Sequence, residues 1–297
     1  MAIPSGEGTK IHVPVMPQEV LKLLNIVEDG IYVDGTIGIG GHAGLILSHL
    51  SPKGHLVGID RDEEALEICK NSLNISQSRL SIFNDSYHNL NSILDSLEIN
   101  KVNGILLDLG MSSLQLDSKK RGFSYKRESK LDMRFDQSQK KSAYDILNKL
   151  PEKDIANIIF NNSQERYSRR IAKKIFEMRP ISMVSDLVEG IRLTTPPSKR
   201  NKTIARVFQA IRIAVNDELN KLELFLDNFS NRLAIGGKIV IISFHSLEDR
   251  IVKHSFRELK KKNVIRIITK KPVYPSDEEI LSNKKSSSAK LRSAEKI

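Results

Sequence analysis

Ile31-Tyr32-Val33-Asp34-Gly35-Thr36-Ile37-Gly38-Ile39-Gly40-Gly41-His42-Ala43-Gly44 decides how the rest of the chain is read. A short apolar run, Ile31 to Val33, ends in a carboxylate and then meets four glycines within seven residues. This is the pattern of a buried strand entering a tight glycine loop that opens a helix. Glycine lets backbone approach a ligand closely, or take a positive φ, where a Cβ would clash. The helix that follows is expected over Ala43 to Leu50, with Leu45, Ile46, Leu47 and Leu50 apolar. Its first turn offers N–H groups that have no intrahelical partner. The next strand, His55 to Asp60, ends in an acid about twenty residues past the loop, the spacing that serves a ribose hydroxyl pair. Strand, glycine loop, helix, strand and acid together form a nucleoside-binding half-fold.

Which nucleoside derivative it takes is a matter of charge. Gly38-x-Gly40-x-x-Ala43 also fits the loose dinucleotide fingerprint. Asp34 at the strand end would repel a pyrophosphate but suits a cationic amino-acid moiety. A second strand ending in an acid follows later, with no evident hydride-transfer set. Both features lean toward S-adenosylmethionine.

The remaining chain supplies more strands of the same kind. Leu80 to Asn84 is a third, followed by Asp85-Ser86-Tyr87, where spacing leaves Tyr87 open to two readings, a cover for an adenine or a buried core tyrosine. Gly104 to Asp108 is a fourth, apolar throughout and therefore central. It runs into Leu109-Gly110-Met111-Ser112-Ser113-Leu114-Gln115. Gly236 to Ile242 is a fifth and leads into Ser243-Phe244-His245. Val264 to Thr269 and Ser288 to Glu295 complete a seven-stranded α/β sheet. Helices are expected at Pro17 to Leu24, Arg61 to Lys70, Ser92 to Leu97 and Leu247 to Leu259, with a mobile polar stretch from Ser276 to Ser288. His12 is expected to be structural, and Cys69, in mid-helix, packed.

From Asp117 the texture changes to charged helical periodicity that lasts until about Arg212. Helices are expected at Ser142 to Leu150, Asp154 to Phe160, Glu165 to Glu177 and Ser185 to Leu193, and a long one from Phe208 to Leu226. The chain holds 47 Lys and Arg against 36 Asp and Glu, a net charge of +11. Between 117 and 212 there are 23 basic and 11 acidic residues, which leaves 24 and 25 for everything else. The whole excess therefore sits in one segment, the signature of a module that meets a polyanion. In the helix from Glu165, Ile171, Ile175 and Met178 make the apolar stripe, and Arg166, Arg169, Arg170, Lys173 and Lys174 fill much of the rest. The domains expected are 1–116 with 213–297 for the cofactor, and 117–212 as an inserted, basic, helical, RNA-recognising domain. A single cysteine excludes an internal disulfide and a cysteine-based zinc site, and fits a reducing cytoplasm. No apolar run approaches the ~20 residues of a membrane span, and the N-terminus lacks the build of a signal peptide.

The glycine loop to His42, the strand end Gly104 to Ser113 with Gln115, Arg121-Gly-Phe-Ser, Leu131-Asp-Met-Arg134, Phe208-Gln-Ala-x-Arg-Ile213 with Val215-Asn-x-Glu218, and Ile242-Ser-Phe-His-Ser-Leu-Glu-Asp-Arg250 together closely resemble one family. It is the bacterial ribosomal RNA small subunit methyltransferase H family, and the resemblance runs from His12 to Glu295. It implies a class I, Rossmann-like methyltransferase with an inserted helical domain, acting on N4 of a cytidine in the decoding region of 16S rRNA. By motif it implies cofactor contacts at Gly40, Gly41, His42, Asp60, Tyr87, Asp108 and Gln115. Tyr87 stands where the family often has phenylalanine and keeps the aromatic face. The implied partners are S-adenosylmethionine and 16S rRNA in the small subunit, with no metal and no membrane; a homodimer is left open.

The chemistry of that reaction constrains the catalytic groups. The lone pair of the cytosine amine is delocalised into its ring, so the nitrogen must pyramidalise to attack a sulfonium methyl. A hydrogen-bond acceptor for the amine favours this, as does negative charge beside the developing cation. Asp108 is the first candidate for that role, and Ser112, Ser113 and His245 are the others. Methylation at ring carbon would use a cysteine nucleophile, and Cys69 is far along the chain from every strand-end cluster. Two other readings stay open on the sequence: a nicotinamide-dependent oxidoreductase, and a non-catalytic ribosome assembly factor that keeps a cofactor-shaped pocket.

Overall fold

The computed structural model describes residues 14–73 and 79–297. His12 lies outside them, as do the side chains of Ser113 and Asp117. In chain order the first elements are α1 (Pro17–Leu24), β1 (Ile31–Asp34), α2 (Gly41–His49), β2 (His55–Asp60), α3 (Glu63–Leu73), β3 (Leu80–Asn84), α4 (Leu90–Ser96) and β4 (Val102–Asp108). A run of helices follows: α5 (Ser113–Asp117), α6 (Ala143–Lys149), α7 (Glu152–Ser163), α8 (Ser168–Glu177), α9 (Val184–Thr194), α10 (Arg200–Asn216) and α11 (Glu218–Asn228). The chain closes with β5 (Leu233–Ser243), α12 (Ser246–Lys261), β6 (Ile265–Ile267), α13 (Asp277–Ser282) and β7 (Lys290–Lys296). Among the described residues no helix is long and apolar enough to cross a membrane.

Packing divides the chain into two units, residues 1–60 with 64–110 and 228–297, and residues 61–63 with 111–227. The second is wider than the basic segment at both ends and takes in three residues from just after β2.

The first unit is the expected Rossmann-like α/β sheet. Its strand order is β3-β2-β1-β4-β5-β7-β6, with β3 to β5 parallel and β7 antiparallel to both its neighbours. The order reverses between β1 and β4, and in open sheets of this kind ligands lie at the carboxyl ends of the strands beside such a reversal. Register there is set by shape. Gly104 of β4 lies opposite Tyr32 of β1, and a Cβ at 104 would stand 2.6 Å from that ring. The Tyr32 hydroxyl in turn accepts from Val27 N at 2.8 Å. Val20, Leu24, Leu56, Leu106 and Val240 share the core around it.

The second unit is helical and has its own core, in which Ile146, Ile159, Ile171, Ile175, Leu187 and Ile211 are fully buried. Of the stripe expected in α8, Ile171 and Ile175 are buried, together with Ala172, and Met178 is half-buried, while Arg169, Arg170 and Lys173 are exposed. This helix starts at Ser168 rather than Glu165. Glu165 is buried instead, where its carboxylate accepts from Tyr167 N at 3.1 Å and pairs with Arg206 at 3.4 Å.

Two expectations are corrected. The long helix over Phe208 to Leu226 begins earlier, at Arg200, and breaks at Asp217, which takes a left-handed φ of 53°. The break follows from Asn216, which is fully buried. Its Nδ2 donates to Met133 O at 2.7 Å and its Oδ1 accepts from Phe135 N at 2.8 Å. Asp is among the few residues that adopt the left-handed state at low cost. Ser276 to Ser288 is ordered rather than mobile. It holds α13, capped by Ser276, and Glu279 Oε1 accepts from Met16 N at 2.8 Å.

Candidate functional site

The loop after β1 is fastened on both sides. Gly35 N donates to Leu106 O of β4 at 2.9 Å, and Ile37 N donates to Ile59 O of β2 at 3.0 Å. Gly38, at φ 51°, donates its N–H to Asp60 Oδ2 at 2.8 Å. Thr36 Oγ1 accepts from Asp108 N at 2.7 Å, which ties the loop to the end of β4. Gly40 caps α2 at φ 93°, and a Cβ there would stand 2.9 Å from Cys69 Sγ. The loop is thus pressed onto Cys69 and Leu73 of α3. Cys69 is fully buried, and burial pushes its thiol up to about 12.

Above this loop lies a set of buried polar atoms with no hydrogen-bond partner among the described residues: Asp34 Oδ2, Asp108 Oδ1 and both ring nitrogens of His42. His42 Nε2 is 3.7 Å from Asp108 Oδ2. Buried polar groups are nearly always paired, and each orphan costs about 1–3 kcal/mol. Three such side chains at the ends of β1 and β4 and the start of α2 are the marks of a site shaped for a ligand. Asp34 is pushed up to about 7, chiefly by burial. His42 and the Thr36 N–H oppose that shift, while Asp108 and Asp60 add to it. Three carboxylates brought this close together favour a cationic ligand over a polyphosphate.

Tyr87 opens a short 3₁₀ turn after β3 and is half-buried. A Cβ on Gly35 would stand 3.0 Å from the Tyr87 Cβ, so the aromatic sits directly beside the glycine loop. Gly40, Gly41, His42, Asp60, Tyr87 and Asp108 therefore gather on one rim within the first unit. Gly110 continues that rim, and its missing Cβ makes room for the Phe244 ring, which would be 2.8 Å away.

His245 is held for another purpose. It caps α12, with Nδ1 accepting from Glu248 N at 3.3 Å and Nε2 3.1 Å from Glu248 Oε1, out of hydrogen-bond alignment. Glu248 Oε2 in turn accepts from Phe244 N at 2.9 Å.

Ser112, Ser113 and Gln115 belong to the second unit. Ser112 caps α5: its hydroxyl accepts from Gln115 N, and Gln115 Oε1 accepts from Ser112 N at 3.1 Å. Gln115 Nε2 donates to Asp62 Oδ2 at 2.8 Å, and Arg121 Nη1 donates to the same oxygen at 2.6 Å. Arg121 also donates to the carbonyls of Arg134 and Phe135. Both polar ends of Gln115 are therefore engaged within its own unit.

Sequence reasoning missed Thr36, whose hydroxyl joins two strand ends, and the buried Asp62–Arg121 pair. It noted Asp34 only for its charge. A threonine two residues past a strand-end acid is the one local signal that was available.

Comparison with known proteins gives a consistent result. A model of the MraW methylase family matches residues 9–297. The ribosomal RNA small subunit methyltransferase H of Kosmotoga olearia is 48% identical over 291 residues, 96% of this chain and 97% of that protein. That of Thermosipho africanus is 48% identical over 290 residues, 96% of this chain and 98% of that one. That of Clostridium botulinum is 44% identical over 306 residues, 96% and 99% respectively.

Proposed function

The chain belongs to the MraW methylase family, and on that premise we propose that it methylates ribosomal RNA with S-adenosylmethionine, at N4 of a cytidine in the decoding region of 16S rRNA. The observation that carries this reading is the set of orphaned polar atoms on Asp34, His42 and Asp108 above a glycine loop. They suit a small ligand that carries positive charge and hydrogen-bonding groups.

When bound, S-adenosylmethionine supplies a methyl group already activated on a sulfonium. Asp34 and Asp108 offset the positive charge of the donor. Asp60 presents its carboxylate to the ribose, already steadied by the Gly38 amide. Tyr87 covers the base. The amides around Gly40 and Gly41, at the start of α2, hold a carboxylate, as helix starts do for anions. Asp108 accepts a hydrogen bond from the cytosine amine, which localises the nitrogen lone pair for attack. His42 lies beside it, with Nε2 3.7 Å from Asp108 Oδ2. Within the second unit, Gln115 is braced by Asp62. Cys69 has no part in the reaction: it is buried, and with a thiol held near 12 it supplies no nucleophile for ring-carbon chemistry. That favours the amine as acceptor.

The test is methyl transfer to small subunits from cells lacking this protein, read by mass spectrometry of their 16S rRNA. One methyl on the amine of a decoding-region cytidine is expected. Asp108→Ala should lower turnover about 100-fold or more. Wild-type turnover and cofactor affinity in that variant would remove Asp108 from the site.

A further inference from the structure

The charge count over the sequence places the basic excess in residues 117–212 and leaves the rest neutral. Within the first unit, however, charge is not evenly spread. At about 100° per residue, Arg250, Lys253, His254, Arg257, Lys260 and Lys261 of α12 share an arc of about 120°. Glu248, Val252 and Phe256, which are buried, lie on the opposite side. There the helix packs on β5, β6 and β7.

Of the three acids of α12, two are used elsewhere and the third, Glu258, neutralises a single member of the arc. Asp249 receives both Arg292 Nε, at 2.7 Å, and Arg292 Nη2, at 3.3 Å, from β7. Glu248 is taken up by the cap, and Glu258 pairs with Lys261 at 2.7 Å. Among the described residues, the side chains of Arg250, Lys253, Arg257 and Lys260 make no ion pair and no hydrogen bond. Arg250, His254, Arg257 and Lys260 are exposed. The stripe starts one turn after His245, at the carboxyl edge where Asp108 ends β4 opposite Ile242 of β5. It runs about 15 Å away from that edge over ten residues.

We infer that the outer face of α12 is a second RNA-binding surface, one that grips the phosphate backbone of the rRNA strand leading to or from the target nucleotide. The inference rests on the functional reading above for its partner. Three features select a nucleic-acid backbone. The groups are mainly point charges and guanidiniums on long stems, they repeat along a line, and Arg250, Lys253, Arg257 and Lys260 have no acid paired with them among the described residues. The inward apolar side of the helix is occupied by the sheet, so the outer face offers charge and no apolar surface for insertion.

The test uses the full chain carrying Arg250→Glu, Lys253→Glu and Arg257→Glu, and a second variant with Gln at the same three positions in case reversal harms folding. Binding to a protein-free 16S rRNA transcript is measured across salt concentrations, with S-adenosylmethionine affinity measured by calorimetry in parallel. The reversal is expected to weaken RNA binding about tenfold or more and to lower the salt slope by about 2. The Gln variant is expected to fall in between, and cofactor affinity to stay at the wild-type value. Unchanged RNA affinity and slope in both variants would overturn the inference. So would a loss seen only with intact small subunits, which would make the partner a ribosomal protein. If wild-type protein binds RNA through α12 yet methylates nothing, the surface stands and the functional reading falls. If it methylates while charge reversal on α12 changes nothing, the functional reading stands and the surface falls.

Discussion

Asp34 is the residue on which the site's electrostatics turn. Its carboxyl ordinarily ionises near 3.8 and is pushed up to about 7 by burial. Near pH 3.5 it is largely protonated in the folded and unfolded chain alike. As pH rises toward 7 the unfolded carboxyl ionises while the folded one does not, so stability falls across that window and levels off above it. Asp34→Asn is therefore expected to unfold at higher urea concentration than wild type at pH 8, by on the order of 3 kcal/mol, and to match it near pH 3.5. The same substitution should weaken cofactor binding and flatten its dependence on pH. A cationic ligand binds the ionised carboxylate, so wild-type affinity should climb as pH passes 7. Calorimetry giving parallel pH profiles for the two proteins would remove Asp34 from the ligand's surroundings. At this scale the sequence was informative where a residue's neighbours along the chain define its role. Asp34, Asp60 and Asp108 each end a strand, and a strand-end acid announces itself. The Asp62–Arg121 pair did not, because its partners are 59 residues apart and neither position looks unusual alone.

Among the elements, α8 carries the sharpest expectation. Ile171 and Ile175 of its apolar stripe are buried and Met178, at its end, is half-buried, while its outer surface holds Arg169, Arg170 and Lys173. Reversing those three to Glu should weaken rRNA binding and flatten its salt dependence while leaving cofactor affinity intact. Equal binding of variant and wild type at several salt concentrations would make this face mere solvated surface. β1, β2 and β4 were readable because apolar runs bounded by glycines and acids have few other readings, and α8 because its stripe and its charges keep helical period. The break at Asp217 was not readable. The pattern of apolar residues continues through it, and its cause is a pair of hydrogen bonds from Asn216 to residues more than eighty positions earlier. The ordering of Ser276 to Ser288 was hidden in the same way, since its anchor is the amide of Met16 at the opposite end of the described chain.

Over the whole molecule, average charge proved a good guide to one unit and a poor guide to the other. It marked the helical segment but concealed the cationic face of α12, because acids folded into caps and internal pairs count the same as acids in solvent. Nor did composition reveal that Arg61–Glu63 packs with residues 111–227. That small detour means the insertion is not a cassette. Excising 111–227 behind a glycine-serine linker would strip Asp62 of its guanidinium and its amide, yet leave the carboxylate behind. Such a trimmed scaffold should melt several degrees lower than one that also carries Asp62→Ser, and equal melting of the two would show that the tripeptide is indifferent to its partners. A gene fragment cut cleanly at the insertion's ends would therefore be a poor donor for grafting: the lobe keeps a piece of itself at another address in the chain, and only a recombination that moves both pieces could transplant it whole.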